Sequence, residues 1–390
     1  MLWSSLHISL VDYTPPHILL ELERIVAAWL ERSATCPLSI SLSKTHNYAY
    51  YIKDMENHPL VLQLIAVSRR LRSLGLAGDG MFLGPLLQLG PEDVPLLQKI
   101  HIANFNQPSA QILQAPTLSD IALVSLLDDP LSLPLPWSLL RSFRFDCHER
   151  WTPDGQEGGL DFETALDVLR QCPNLEQCEF RINKTSEPLD SGRNLPSVIM
   201  PQLHALILKG PGIHLANWIP DLVVPKLRFL RIGDKLWDDA HPSTPGALSV
   251  DLDPLTLTLT SLHEILRSFP TISHLRLWSQ TSDMQLLMDD EILAWFCPPH
   301  NLCPMLTELT FAGPAVAFSD AAALALIQAR MAMATPLRRF RAEFIRKKEL
   351  DIIPELQSFI SDGLRVTLEY PPLREFKARA GLDVSRSIHF

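Results

Sequence analysis

One pattern recurs along this chain and limits the folds open to it. It reads apolar, Pro, variable, Leu or Ile, two variable residues, apolar, variable, apolar. It stands at Val94-Pro95-Leu96-Leu97 with Ile100 and Ile102, at Ala115-Pro116-Thr117-Leu118 with Ile121 and Leu123, and at Cys172-Pro173-Asn174-Leu175 with Cys178 and Phe180. Further copies are Met200-Pro201-Gln202-Leu203 with Leu206 and Leu208, Val224-Pro225-Lys226-Leu227 with Leu230 and Ile232, Phe269-Pro270-Thr271-Ile272 with Leu275 and Leu277, and Cys303-Pro304-Met305-Leu306 with Leu309 and Phe311. Weaker copies without the aligned proline are Leu71-Leu74-Leu76, Leu140-Phe143-Phe145 and Leu337-Phe340-Ala342, and Trp3-Leu6-Ile8 and the stretch Pro37 to Leu42 resemble two more.

The last two apolar positions of each copy are two residues apart, so on a strand they point to one face while the residue between them points to the other. One such strand cannot bury its apolar side alone, but one strand per copy, stacked in parallel, builds a continuous core. Proline cannot donate to a sheet ladder and disfavours helix in the residue before it, so it belongs at the strand entrance. The expected fold class is therefore α/β: an irregular leucine-rich-repeat solenoid with a curved parallel sheet on the concave side and helices and loops on the convex side.

From Leu71 to Leu337 the anchors of successive copies lie 21 to 45 residues apart, wider than the roughly 20 to 29 of regular repeats, so several units carry insertions. Helical spacing of apolar residues predicts returning helices over Phe162–Gln171, Ser261–Ser268, Met284–Phe296 and Asp320–Met333, and amphipathic helices over His17–Ser33 and Pro59–Arg70. Ser186 to Asn194 and Asp238 to Asp253 read as polar loops with Pro and Gly. Residues 1–70 read as the start of the solenoid, 71–345 as the repeats and 346–390 as a C-terminal cap, since a terminal unit needs a polar outer surface. The asparagine of regular repeats, three positions after the last core residue, stands only at Asn183.

Composition narrows the function. A 46% hydrophobic share supports a large core, and a formal net charge of −10 opposes non-specific nucleic-acid binding. From Arg330 onward, 12 Lys/Arg stand against 8 Asp/Glu, which leaves 22 against 36 before it. No apolar run reaches the roughly 18 residues of a membrane span, and no signal-peptide order opens the sequence. The six cysteines are scattered, as in a reducing compartment. The chain reads as intracellular, cytoplasmic or nuclear, with no membrane partner.

The segments Leu2-Trp3-Ser4-Ser5-Leu6-His7-Ile8, Ala28-Trp29-Leu30-Glu31-Arg32-Ser33 and Cys36-Pro37-Leu38-Ser39-Ile40-Ser41-Leu42 resemble the region that follows the F-box in fungal F-box proteins with irregular leucine-rich repeats. The later apolar-Pro-x-Leu units resemble that family's repeat region. The resemblance implies a protein-binding module akin to the substrate receptor of a cullin ubiquitin ligase. A helical F-box would be expected ahead of Leu2, and a Skp-type adaptor and cullin are implied as partners only with such a segment upstream. The alternatives are a scaffold of the same fold without a ligase role and a regulator of a small GTPase.

Motifs of catalysis are missing: the sequence has no G-x-S-x-G, H-E-x-x-H, G-x-x-x-x-G-K-[ST], or G-x-G-x-x-G opening a helix. No enzyme activity, cofactor or metal is expected. Cys297, His300 and Cys303 have ligand-like spacing, but Cys303 holds an apolar repeat position and reads as core, as do Cys172 and Cys178. Asp289-Asp290-Glu291 reads as a solvated helix turn, Arg346-Lys347-Lys348 as a charged rim, and Asn183-Lys184-Thr185 as a turn.

The sharper expectation concerns the residue between the two core positions, which faces away from the core. Over the ten copies from Leu71 it reads Gly75, His101, Ala122, Arg144, Glu179, Ile207, Arg231, Arg276, Thr310 and Arg341, four of them arginine in an acidic chain. With the flanking Phe229, His274 and Trp278, the arginines Arg144, Arg231, Arg276 and Arg341 form the expected protein-binding stripe on the concave face, because Arg and aromatic residues dominate interface hot spots.

Overall fold

A computed structural model describes residues 3–11, 14–44, 58–78, 80–103, 110–125, 129–147, 160–182, 197–210, 222–233, 247–254, 257–279 and 288–371. Asn183-Lys184-Thr185, the expected loop 186–194 and residues 372–390 of the expected cap lie outside them. The chain divides into two compact units, 1–248 and 249–390, and each combines helices with an open parallel sheet.

In the first unit the strands are β1 (Ser5–Leu10), β2 (Leu38–Lys44), β3 (Leu71–Ala77), β4 (Lys99–Ala103), β5 (Asp120–Val124), β6 (Ser142–Asp146), β7 (Gln177–Arg181), β8 (Val198–Ile199), β9 (Ala205–Lys209), β10 (Leu222–Val223) and β11 (Phe229–Ile232). The order β1-β2-β3-β4-β5-β6-β7-β9-β11 follows the chain, and β8 pairs with β10 in a separate parallel ribbon. The helices α1 (Pro16–Arg32), α2 (Pro59–Ala66), α3 (Gly80–Leu87) and α4 (Phe162–Gln171) lie between strands. Pro16 and Pro59 occupy first helical positions, where a missing N–H costs nothing. Asp161 caps α4 by accepting from the Thr164 amide at 2.7 Å.

The second unit has β12 (Leu248–Leu252, beginning at the last residue of the first unit), β13 (Ile272–Trp278), β14 (Glu308–Ala312), β15 (Arg339–Glu343) and β16 (Arg365–Glu369). Its helices are α5 (Leu259–Ser268), α6 (Asp290–Ala294), α7 (Asp320–Met331) and α8 (Gln357–Ser361). Thr258, Asp289 and Ser319 cap α5, α6 and α7. Two expectations are corrected here. Residues 248–252, expected within a polar loop, form β12, because Leu248, Val250 and Leu252 alternate and are buried. The expected helix over 284–296 is helical among its described residues only from Asp290 to Ala294.

The recurring motif turns out to specify a turn as well as a strand. In all seven proline-containing copies the N–H of the Leu or Ile donates to the carbonyl of the first motif residue, at 3.0 to 3.4 Å, as in Leu97 to Val94 and Leu306 to Cys303. Proline thus occupies the second position of a β-turn, whose φ its ring already matches. The next residue then donates to its counterpart one strand back: Ser119 to Gln98, Arg141 to Ser119, Glu176 to Arg141, His204 to Glu176 and Arg228 to His204, at 2.7 to 3.0 Å. The same link joins Thr307 to Ser273, Arg338 to Thr307 and Arg365 to Arg338 at 2.7 to 2.9 Å.

This step fixes register. In the first unit Ile40 pairs with Leu74, Leu74 with Ile100, Ile100 with Ile121, Ile121 with Phe143, Phe143 with Cys178, Cys178 with Leu206, and Leu206 with Leu230. In the second, Leu275 pairs with Leu309 and Leu309 with Phe340. All are at most 3% exposed, and each such side chain contributes roughly 1.5–3 kcal/mol by leaving water. A register slip of one residue would turn the whole row outward.

Strands β9 and β14 end where a glycine turns the chain close to the preceding strand. At Gly210 (φ +127°) and Gly313 (φ +94°) an added Cβ would lie 1.8 Å from the carbonyl oxygen of Ile182 and of Ser279, respectively. Both the φ value and the backbone contact require glycine. Gly313→Ala is expected to lower unfolding stability by about 2 kcal/mol, measured by urea denaturation. Gly363→Ala, with nothing within 4 Å of the new methyl, should cost about half as much. Equal costs at the two positions would show that the contact with Ser279 is not what selects glycine.

Candidate binding face

The seven residues of the expected stripe divide between the units: Arg144, Phe229 and Arg231 in the first, His274, Arg276, Trp278 and Arg341 in the second. The residues between the core positions do align. Gly75, His101, Ala122, Arg144, Glu179, Ile207 and Arg231 are successive register partners from β3 to β11. Arg276, Thr310, Arg341 and Thr367 are successive partners from β13 to β16.

Exposure along these rows is uneven. Arg231 is 6% exposed, with its guanidinium 5.2 Å from the centre of the Phe229 ring, and Trp278 is 4% exposed. These two side chains are packed rather than offered to solvent. Arg144, Phe229, His274, Arg276 and Arg341 are half-buried. Arg341 pairs with Glu343 at 2.7 Å and Glu369 at 3.1 Å, Arg339 pairs with Glu308 at 3.2 Å, and His274 Nε2 lies 3.6 Å from Glu308. Pairs exposed to this degree contribute at most about 1 kcal/mol each.

In the first unit Arg144 belongs to a charge network that the sequence reading did not identify. Its Nε lies 3.1 Å from Glu179, Glu179 contacts Lys209 Nζ, and Lys209 donates to Asp146 Oδ2 at 3.0 Å. Asp146 Oδ1 accepts from Arg181 Nε at 2.6 Å. Asp146, Arg181 and Lys209 are 0%, 8% and 2% exposed, so the sheet face opposite the apolar core is covered at the ends of β6, β7 and β9. A signal was present: Asp146, Arg181 and Lys209 each follow the last core residue of consecutive units, one acid followed by two bases. Burial alone would raise the Asp146 pKa, but the hydrogen bonds and charges of Arg181 and Lys209 outweigh it and hold the carboxyl at about 2.

The remaining chemistry-bearing residues serve the fold. Cys297 Sγ donates to the Leu293 carbonyl and Cys303 Sγ to the Leu266 carbonyl, both at 3.6 Å, while His300 is exposed. Burial pushes the Cys303 thiol up to about 12, against the pull of Arg330, and the Cys172 thiol up to about 12. Among the described residues no group of three His, Cys, Asp or Glu is arranged to hold a metal ion, and no helix is long and apolar enough to cross a membrane. Asp289 caps α6, and Asp290 accepts from the Ser319 amide at 2.6 Å. Arg346 binds Asp320 at 2.6 Å and stacks 4.4 Å from the Phe344 ring; Asp320 also accepts from Tyr370 and from the amides of Glu349 and Leu350, tying the segment after β15 to the start of α7.

A carboxylate whose pKa is depressed on folding adds stability above its unfolded value, near 3.8, and loses it as pH falls toward 2. Asp146 should therefore contribute about 2 kcal/mol at neutral pH. Asp146→Asn, which also takes a carboxylate from Arg181 and Lys209, should cost about 3 kcal/mol at pH 7 and little at pH 2, as read by urea unfolding at each pH; a cost independent of pH would exclude the linkage. Comparison with known proteins finds no family model and no curated protein that matches the chain.

Proposed function

We propose that this chain is a leucine-rich-repeat solenoid that binds another protein on the sheet face opposite its apolar core, in the manner of the substrate-receiving part of an SCF-type ubiquitin ligase. The observation that carries the reading is the in-register row of polar and charged side chains, Arg276, Thr310, Arg341 and Thr367, held on a hydrogen-bonded sheet. A face already ordered before a partner arrives loses little conformational entropy on binding. The turn-plus-strand unit repeated seven times supports the repeat architecture, and the likeness of 2–42 and of the later units to the F-box family supports the receptor role. The partner on this face is a protein; no nucleic acid or membrane surface is invoked, and no catalytic step is assigned.

The test is affinity capture by the full chain from an extract of its native cells, compared with His274→Ala/Arg276→Ala/Arg341→Ala. The triple variant should melt within a few degrees of the parent, since all three positions are partly solvated, and should recover at least about tenfold less partner. Recovery of a Skp-type adaptor and a cullin by the natural protein marks the ligase role, and recovery of other proteins alone marks a scaffold. Acceleration of GTP hydrolysis by a captured GTPase marks the regulator. Undiminished recovery by the folded variant would remove this face from consideration.

A further inference from the structure

The strand stack of the second unit stops at β16, which pairs with β15 and, among the described residues, has no strand on its other side. The Arg365 amide donates to the Arg338 carbonyl at 2.9 Å and the Glu369 carbonyl accepts from the Phe344 amide at 2.8 Å, so the backbone groups of Arg365, Thr367 and Glu369 face β15. Successive residues of a strand direct these groups to opposite sides, which turns the N–H and C=O of Val366 and Leu368 to the open edge. Such an edge is a template for a further strand, and β16 has no proline or register shift to blunt it. The core is unfinished there as well: Phe340 and Ala342 of β15 are fully buried, whereas their register partners Val366 and Leu368 are only half-buried, as are Phe359 and Ile360 of α8.

We infer that this edge binds a second copy of the chain, β16 against β16 in antiparallel pairing about a two-fold axis at Thr367. The strand's own sequence, Arg-Val-Thr-Leu-Glu, selects that occupant. Centred on Thr367, Arg365 lies opposite the partner's Glu369, Val366 opposite the partner's Leu368, and Thr367 opposite the partner's Thr367. The axis repeats each contact, as an isologous interface requires. Opposite charges, paired apolar residues and paired threonines are all favourable cross-strand neighbours. Backbone direction agrees: Val366 and Leu368 become the hydrogen-bonded pairs, and Arg365 and Glu369 the closer pairs whose side chains approach best. A shift of two residues either way sets Arg365 or Glu369 opposite Thr367 and pairs no charges, while a shift of one leaves the outward amides without partners.

The charged groups are open to this exchange. Among the described residues the Arg365 guanidinium makes no hydrogen bond or ion pair. Glu369 gives Oε1 to Arg341 at 3.1 Å and stays 51% exposed in its side chain, so its second oxygen can accept from the incoming arginine. An axis normal to the sheet keeps the apolar sides of the two sheets together, so Val366 and Leu368 continue one core across the pair. A contact built on one short strand is smaller than a standard interface, and the dimer is accordingly weak, with a Kd of roughly 1 to 100 μM. It uses the edge of the sheet and is independent of the partner proposed for the face.

The test is sedimentation velocity of the full chain from about 1 to about 200 μM, expected to show a reversible monomer–dimer equilibrium. Arg365→Glu and Glu369→Arg each set like charges opposite one another, and each alone should weaken the dimer at least about tenfold. Mixed in equal amounts, the two variants restore both ion pairs and should dimerise as the natural protein does, a recovery that a folding defect in either cannot give. Val366→Pro removes an outward N–H without touching the ladder to β15, and should also abolish the dimer. A natural protein that stays monomeric at the highest concentration, undiminished dimers of the single variants or of Val366→Pro, or no recovery on mixing would overturn the inference. So would assembly beyond a dimer, which marks head-to-tail joining of sheet edges.

Discussion

A five-residue strand has one apolar side and a backbone of unpaired donors and acceptors, and neither can be satisfied within it. Everything described in this molecule follows from how that deficit is met, by the next strand in the chain rather than by a distant one. The β-turn made by proline delivers the Leu or Ile inward, and the following amide reaches the equivalent carbonyl one strand earlier. That single hydrogen bond, repeated from Gln98 to Arg228 and from Thr307 to Arg365, sets the register before the ladder begins. The apolar row is then buried by construction, and the other row is delivered to the opposite face.

Register is also what gives the opposite face chemical meaning. Side chains far apart in sequence, such as Arg276, Thr310, Arg341 and Thr367, become neighbours at strand spacing. In the first unit the same alignment brings Asp146 within reach of both Arg181 and Lys209 and allows three charges to be buried together. Such a network adds little net stability over an apolar replacement, because desolvation offsets much of the attraction. Its effect is on specificity: a slip of one residue would leave each charge buried without its partner, a far larger penalty than exposing one leucine.

Much of this was legible in the sequence, and the failures have physical causes. The helix over Phe162–Gln171 was readable to the residue because its apolar residues recur at helical spacing; the Asp161 cap then holds its start in the fold. The strand Leu248–Leu252 was not, because it lacks the proline turn and its buried Asp251, with Asp253 just beyond it, gives the stretch a loop-like composition. Alternation also identified the outward positions Arg144, Arg231, Arg276 and Arg341 correctly, but alternation says only which way a side chain leaves the sheet. It does not say that Arg231 is laid on Phe229, or that Trp278 is covered.

The sequence alone determined the unit: proline at a turn, apolar residues two apart, and hence a parallel strand that demands a neighbour on each side, because these depend on φ preferences and side-chain direction within a few residues. Tertiary structure alone decided which outward residues remain open to solvent and which charges meet, because that depends on distances between segments the sequence places tens of residues apart. Asp146 and Lys209 are 63 positions apart in the chain and 3.0 Å apart in the fold. No local pattern encodes that separation; it is the sum of every strand step between them.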